Sequence, residues 1–378
     1  MKYNITYQRT GVHFALVLLF ILMLASCMGQ TENSIKVGAE RTDQYFPLLQ
    51  NKKIGIIANQ TSMVGEQHLV DTLLAAGFEV VKVFGPEHGF RGNAADGETV
   101  KDNRDPKTGL PIISLYGNNR KPSAGSLEGL DLMIFDIQDV GTRFYTYIST
   151  MSYAMEACAE NEIDFLVLDR PNPNGDFVDG PVLEAEFSSF VGLHPVPVVH
   201  GMTVGEYALM VNGEGWLQDD IQCNLTVIPV KNYTHQTMYQ LPVAPSPNLP
   251  NMASIYLYPS LCFFEGTIIS VARGTEFPFQ AIGHPDDGLG SFAFTPQSIP
   301  GVSEHPPYEG ETCFGRYLQG YAENKVLKER RLHLDLLIGY YSYFKDKEPF
   351  FKSYFTKLAG TKKLQQQIEE GKTEAEIR

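Results

Sequence analysis

Between residues 53 and 230 the chain repeats one pattern. A short apolar run ends in a polar turn, and a stretch with helical spacing follows. Residues 53–59, 79–84, 112–116, 131–137, 165–168 and 225–230 are the apolar runs. Runs of this length that stay apolar at consecutive positions suit strands buried on both faces of a parallel sheet. Residues 68–76, 146–160 and 203–212 carry the helical spacing. The first of these stops at Gly77, and the last opens on Thr203 with Glu206 three residues later, a capping-box spacing. Strands and helices in alternation imply βαβ units. The expected fold class is α/β, a Rossmann-like doubly wound parallel sheet. The alternation is lost at the Pro/Asn-rich stretch 242–250. Beyond it the texture predicts a second, smaller α+β C-terminal domain, with a packed helix over 332–344 and a polar helix-prone tail over 362–378. The expected domains are 36–240 and 241–378.

The first residues belong to neither domain. Lys2 and Arg9 precede an apolar run over 12–25, too short to span a bilayer and suited to a signal peptide. The run ends in Leu24-Ala25-Ser26-Cys27, which resembles a bacterial lipobox. Cleavage before Cys27 and acylation of its thiol and amine would leave a lipoprotein held at a membrane facing the periplasm or the cell exterior, on a tether over 27–35. The competing reading is an ordinary signal peptide and a soluble periplasmic protein. The chain has 30 basic and 44 acidic residues, a formal charge of -14. That balance argues against nucleic acid as a partner and leaves the lipid anchor as the membrane contact. The other four cysteines, Cys158, Cys223, Cys262 and Cys313, lack the close spacing of a zinc ribbon or redox motif and read as buried thiols.

No G-x-G-x-x-G follows the first strand, and there is no phosphate-binding P-loop, no G-x-S-x-G and no H-E-x-x-H. Neither a cofactor nor a metal is expected. What the strand ends carry instead is acid. Gly85-Pro86-Glu87-His88-Gly89 follows the second strand. Asp136-Ile137-Gln138-Asp139-Val140-Gly141-Thr142-Arg143-Phe144-Tyr145 follows the fourth, and Asp169-Arg170-Pro171-Asn172 the fifth, with Glu184 soon after. An open α/β sheet binds its ligands at the carboxyl ends of its strands. Glu87, Asp139, Asp169 and Glu184 are thereby expected on one rim, the equipment for glycoside chemistry, in which one carboxyl protonates the leaving oxygen and another stabilises or attacks the anomeric centre. The candidate catalytic residues are Glu87, Asp139 and Glu184. Each has a structural alternative: Glu87 as acceptor in a tight turn, Asp139 as a turn or helix cap before Gly141, Asp169 as partner of Arg170. His88 and His200 suit hydrogen bonds to sugar hydroxyls or carboxylates better than metal binding.

These segments, with Ser189-Phe190-Val191-Gly192, His200-Gly201-Met202-Thr203, Pro245-Ser246-Pro247-Asn248, Glu265-Gly266-Thr267 and Arg273-Gly274-Thr275, resemble the signatures of one family. It is the NamZ-type exo-β-N-acetylmuramidases, glycoside hydrolase family 171, formerly domain of unknown function 1343. The resemblance covers the chain from residue 34 onward. It implies a Rossmann-like domain, a smaller C-terminal domain and an active cleft between them. It also implies release of non-reducing terminal N-acetylmuramic acid from peptidoglycan-derived MurNAc-GlcNAc oligosaccharides or muropeptides, with Glu87 as the catalytic glutamate. His88, Arg91, Arg143, Tyr145, Asp169, Arg170, Asn172, His200, Asn248, Glu265 and Arg273 lie in the shared motifs and are the expected substrate contacts. At least one of Arg91, Arg143, Arg170 and Arg273 is expected to pair with the lactyl carboxylate, Arg143 and Arg273 being the leading candidates, against the alternative that each braces a loop carboxylate. The chain departs from the family pattern at Ile268, where Asn is expected, and at Ala272, where Gly is expected. A binding lipoprotein that captures muropeptides without cutting them is the competing function, and an esterase or deacetylase lacks its nucleophile elbow or metal triad. The location has a direct test: Cys27→Ser is expected to move the protein from the membrane to the soluble fraction, and unchanged retention would exclude the anchor.

Overall fold

The computed structural model describes residues 34–87, 89–91, 103–285, 288 and 290–378. The signal, Cys27 and His88 lie outside the described residues. All six apolar runs form strands: β1 (Ile54–Ala58), β2 (Val80–Gly85), β4 (Pro111–Ser114), β5 (Leu132–Asp136), β6 (Asp164–Leu168) and β7 (Leu225–Ile228). A two-residue strand that the sequence pattern does not announce, β3 (Asn103–Arg104), pairs antiparallel with β4 at one edge. The sheet order is β3-β4-β2-β1-β5-β6-β7, and every pair except β3/β4 is parallel. Counted along the chain, the six parallel strands stand in the order 3-2-1-4-5-6. This is the Rossmann order, and its switch point lies between β1 and β5.

The strands are apolar at consecutive positions because both faces are covered. Ile57, Phe84, Met133, Phe135, Phe165 and Val167 point into one core. Their neighbours in sequence, Ile56, Val83, Leu132, Ile134, Leu166 and Leu168, point into the other, as a period of two requires. Helix α1 (Leu69–Ala75) begins at His68, whose ring accepts from the Val70 amide, and stops before Gly77 at φ +83°. Helix α2 (Tyr147–Glu160) buries eleven of its fourteen residues. Helix α3 (Val204–Gly213) opens on the expected capping box, with Thr203 and Glu206 exchanging side-chain and backbone bonds.

After the sheet comes α4 (Met252–Leu261), then a three-stranded antiparallel sheet of β8 (Ala281–His284), β9 (Phe292–Phe294) and β10 (Cys313–Tyr317) in the order β8-β10-β9. The helix expected over 332–344 is α5 (Asp335–Phe344). Helix α6 (Phe355–Ala359) follows, and the tail is two short helices, α7 (Lys363–Glu369) and α8 (Glu374–Ile377), separated at Gly371 with φ +79°. The α2 face of the large sheet and the C-terminal elements share one continuous core, in which Phe135 and Phe165 belong with Phe263, Phe264, Phe344 and Phe355. The four described cysteines are buried and unpaired.

The carboxyl edge of the sheet is pinned by a buried ion pair. Arg170, just past β6, donates Nε and a terminal nitrogen to the two oxygens of Asp136 at the end of β5, at 2.6 and 2.9 Å, and also reaches the Met63 carbonyl at 3.1 Å. Removing one partner strands a charge that the fold has taken out of water. Arg170→Met is expected to cost about 3–5 kcal/mol in denaturant unfolding. The double variant Asp136→Leu/Arg170→Met is expected to recover much of that loss.

Candidate active site

The described residues of the Gly-Pro-Glu-x-Gly motif, 85–87 and 89, are held by backbone contacts. Gly89 sits at φ +78° and donates its amide to the Pro86 carbonyl at 2.9 Å, and a Cβ on Gly85 would lie 3.0 Å from the Phe90 nitrogen. Glu87 therefore leaves β2 at the carboxyl edge on a short, constrained arm, half-buried. It points to the start of α2. Thr146 stands at the N-cap position of that helix, yet its hydroxyl does not cap it. The hydroxyl donates to Glu87 Oε2 at 2.7 Å instead. The Tyr147 hydroxyl approaches the Glu87 carbonyl at 3.4 Å, and Tyr145 donates to the Pro245 carbonyl at 2.9 Å. The stretch 144–147 thus floors the site, fixes the glutamate and holds the strap over 245–249.

Glu87 faces a cavity of about 330 Å³ whose far wall comes from the C-terminal domain. There Glu265 Oε1 accepts from Arg273 Nε at 2.6 Å, and the Arg273 guanidinium lies 5.1 Å from the centre of the Phe279 ring. Tyr258 and Tyr354 also line the cavity. Burial, with nearby carboxyl charge as a smaller cause, pushes the Tyr145, Tyr258 and Tyr354 phenols up, so these rings offer neutral hydroxyls. Asn248 completes the rim. Its amide nitrogen donates to the Val302 carbonyl at 3.0 Å, while its Oδ1 is buried and accepts no hydrogen bond from the protein. A buried amide oxygen without a partner is an acceptor waiting for a ligand donor. The structure thus brings Glu87, Tyr145, Asn248, Glu265 and Arg273 to one cavity.

The remaining candidates do not line it. Asp139 is buried beneath the rim, where Oδ2 accepts from the Gly141 amide at 2.6 Å; it is the turn residue of its loop. Glu184 lies in a separate hollow, where it accepts from the Thr361 hydroxyl at 2.7 Å. The expectation that these two carboxylates join Glu87 is corrected: the second carboxylate of the cavity is Glu265. Arg143 is no lactyl clamp, because its guanidinium is fully buried and spent on four backbone carbonyls. Arg91 clasps Asp105 at 2.8 and 2.9 Å, holding that carboxyl far below the usual range. Asp169 accepts from Thr203 Oγ1 and the Gly205 amide, both at 2.8 Å, and so anchors the start of α3. Arg170 serves Asp136, and Asn172 ties Met202 to Asn174. His200 is enclosed near Asp139, its Nε2 4.0 Å from Oδ2, and burial drives it down to about 3, so it stays neutral. His88 lies outside the described residues.

Sequence reasoning did not single out Thr146, Tyr147, Tyr258 or Tyr354. The first two continue the motif that ends at Tyr145 and could have been read with it. The two later tyrosines carry no local signal, since only the packing of α4 and α6 against the rim exposes them to the cavity. Among the described residues no group of three His, Cys, Asp or Glu side chains is placed to hold a metal ion.

Two family models, described as the N-terminal and C-terminal domains of the exo-β-N-acetylmuramidase NamZ, match residues 54–253 and 256–378. The peptidoglycan β-N-acetylmuramidase NamZ of Bacillus subtilis is 40% identical over 346 residues, 86% of this chain and 82% of that protein. Two DUF1343-family crystal structures from Bacteroides fragilis share the fold. One is 51% identical with a TM-score of 0.84, covering 91% of this chain and 93% of its own. The other is 29% identical with a TM-score of 0.75, covering 90% and 92%.

Burial raises the Asp139 carboxyl to about 7. A carboxyl with a raised folded-state pKa binds its proton more tightly folded than unfolded, so it lends stability at low pH that is lost as pH climbs from about 4 to 7. Asp139→Asn is expected to flatten unfolding stability across that window and to leave catalysis within a few-fold of the parent. A collapse of turnover in a folded Asp139→Asn protein would return Asp139 to the catalytic set.

Proposed function

The chain belongs to the NamZ family of exo-β-N-acetylmuramidases, and we propose that the cavity at Glu87 is where it performs that reaction. It is a glycosidase that releases N-acetylmuramic acid from the non-reducing end of peptidoglycan fragments. The observation that carries the site assignment is the meeting of Glu87 and Glu265 across one cavity, one from each domain, with an arginine beside the second. Glu87, oriented by Thr146, donates a proton to the glycosidic oxygen as the bond to the aglycone breaks. Glu265 supplies negative charge to the oxocarbenium-like centre, and Arg273 fixes the orientation of that carboxylate; the oxygen of a water then bonds to the anomeric carbon, and the proton it releases replaces the one Glu87 gave up. The lactyl carboxylate of the muramic acid is the group suited to Arg273, the cation among the described lining residues. The unfilled acceptor on Asn248 suits a sugar hydroxyl or the acetamido N–H.

The substrates are MurNAc-GlcNAc oligosaccharides or muropeptides. The lipobox at Cys27 supports an exported, membrane-anchored protein that meets these fragments outside the cytoplasm.

Glu87→Gln keeps the size and hydrogen bonding of the side chain but removes the transferable proton. It is expected to lower kcat on MurNAc-GlcNAc by about 10²–10⁴-fold with ligand binding retained. The loss should be smaller on an N-acetylmuramide with an activated aryl leaving group, which needs less protonation. Near-parental turnover of the disaccharide by Glu87→Gln would demote Glu87 to a turn residue.

A further inference from the structure

A second hollow, of about 550 Å³, lies between the start of α4 and the small antiparallel sheet. Asn251 and Tyr256 form one side, Phe277, Gln280 and Tyr317 the other, and Gln240 stands at the rim. We propose that this groove is a carbohydrate site for a neutral N-acetylhexosamine chain, engaged away from the bond that is cut. It rests on the reading of the protein as a glycan-cleaving enzyme.

Three observations carry it. The first is an aromatic platform. Tyr317 is 43% exposed although it is a large ring at the end of β10. It stacks on Phe292 with centroids 5.2 Å apart and planes at 27°, and it meets the edge of Phe277 at 5.8 Å. The three rings brace one another, so the open face is rigid. The C–H face of a sugar packs on such a ring, and binding to it costs little side-chain entropy. The second is a rim of amides. The Tyr317 hydroxyl donates to Gln319 Oε1 at 2.9 Å, Gln319 Nε2 reaches Glu323 at 3.3 Å, and Asn251 Nδ2 donates to Gln280 Oε1 at 3.0 Å. Amides present donor and acceptor side by side, the pattern that hydroxyl and acetamido groups match. The third is charge. Glu276 and Glu323 line the groove, and among its described lining residues none is cationic. An anionic ligand finds no partner here, in contrast to the cavity that holds Arg273. The groove therefore suits glucosamine-type units rather than a lactyl carboxylate.

The groove also adjoins the catalytic cavity. Arg273 and Phe279 face the cavity, while Glu276, Phe277 and Gln280 of the same loop face the groove. Asn248 and Asn251, three residues apart, stand on the two sides of the same wall.

The test uses N-acetylchitotetraose, a neutral chain without lactyl groups, titrated calorimetrically into the folded protein. Parent and Glu87→Gln are expected to bind it equally, Tyr317→Ala about ten-fold more weakly or worse, and Tyr317→Trp as the parent does. Turnover of a chromogenic N-acetylmuramide by Tyr317→Ala should match the parent. Should Tyr317→Ala fail to fold, Gln240→Ala at the exposed rim replaces it and is expected to weaken binding several-fold. The proposal is overturned if the parent does not bind the tetrasaccharide, if the groove variant binds undiminished, or if N-acetylmuramic acid displaces the tetrasaccharide. Failure of the muramidase reading itself would appear elsewhere, as a parent protein that does not turn over the chromogenic N-acetylmuramide.

Discussion

Arg143 carries no exposed atom surface worth the name, yet it holds the molecule together at the point where its two halves meet. One terminal nitrogen donates to the carbonyls of Pro181 and Val196, both at 2.8 Å, and the other to those of Leu358 and Ala359, at 3.0 and 2.8 Å. The first two carbonyls belong to the loops after β6, and the last two end α6 of the C-terminal domain. Burial lowers the guanidinium to about 10, so it keeps its charge in neutral solution. A buried cation needs compensation, and here four carbonyl dipoles, two of them at the C-terminal end of a helix, take both terminal nitrogens, while Nε is buried without a hydrogen-bond partner among the described residues. The neighbours are shaped around it: a Cβ on Gly360 would come within 2.5 Å of the guanidinium, and Gly360 adopts φ +73°. The next four residues in the chain, 144–147, line the cavity at Glu87, and Leu358 lines it from the other side. Arg143 thus ties together two segments that border the cavity.

The carboxyl edge of the sheet shows how a rim rich in acids divides its labour. Asp136 ends β5 beside the switch point, Asp139 follows that strand, and Asp169 follows the next strand, β6, all at the carboxyl edge where ligands are expected. Each is instead consumed by the backbone or by a neighbouring arginine, because loops that leave buried strands bring amides and charges that need partners of their own. Glu87 stands half-buried just past the end of β2, in a turn where Gly89 donates to the Pro86 carbonyl, and its Oε2 accepts from the Thr146 hydroxyl on another element.

The departure at Ala272 has a backbone explanation. That residue sits at φ +59°, in the left-handed region where glycine is favoured, and it is fully buried in the cluster behind the small sheet. The strained turn directs Arg273 towards Glu265. Ile268 is also buried, with its carbonyl accepting from Tyr308 and its amide donating to Phe350. Its side chain is not among the described residues that line the cavity at Glu87.

The sequence alone determined the large sheet, because strands covered on both faces must be apolar at consecutive positions and helices covered on one face must follow their own period. It also determined the position of Glu87, because Gly-Pro-x-x-Gly after a strand leaves few backbone choices. The edge strand β3 was illegible, two residues being too short for any period. Which acids face the cavity was decided by tertiary structure. Asp139 and Glu87 are alike in sequence, each a carboxylate in a glycine-bounded loop after a strand, yet the packed loops leave Glu87 on the cavity wall and enclose Asp139 beneath it. Arg143 and Arg273 are alike too, each in a shared motif, and only the arrival of α6 turns the first into a structural tie. Tyr258 and Tyr354 join the site from segments that read as core, since a cavity between two domains exists only after both have packed.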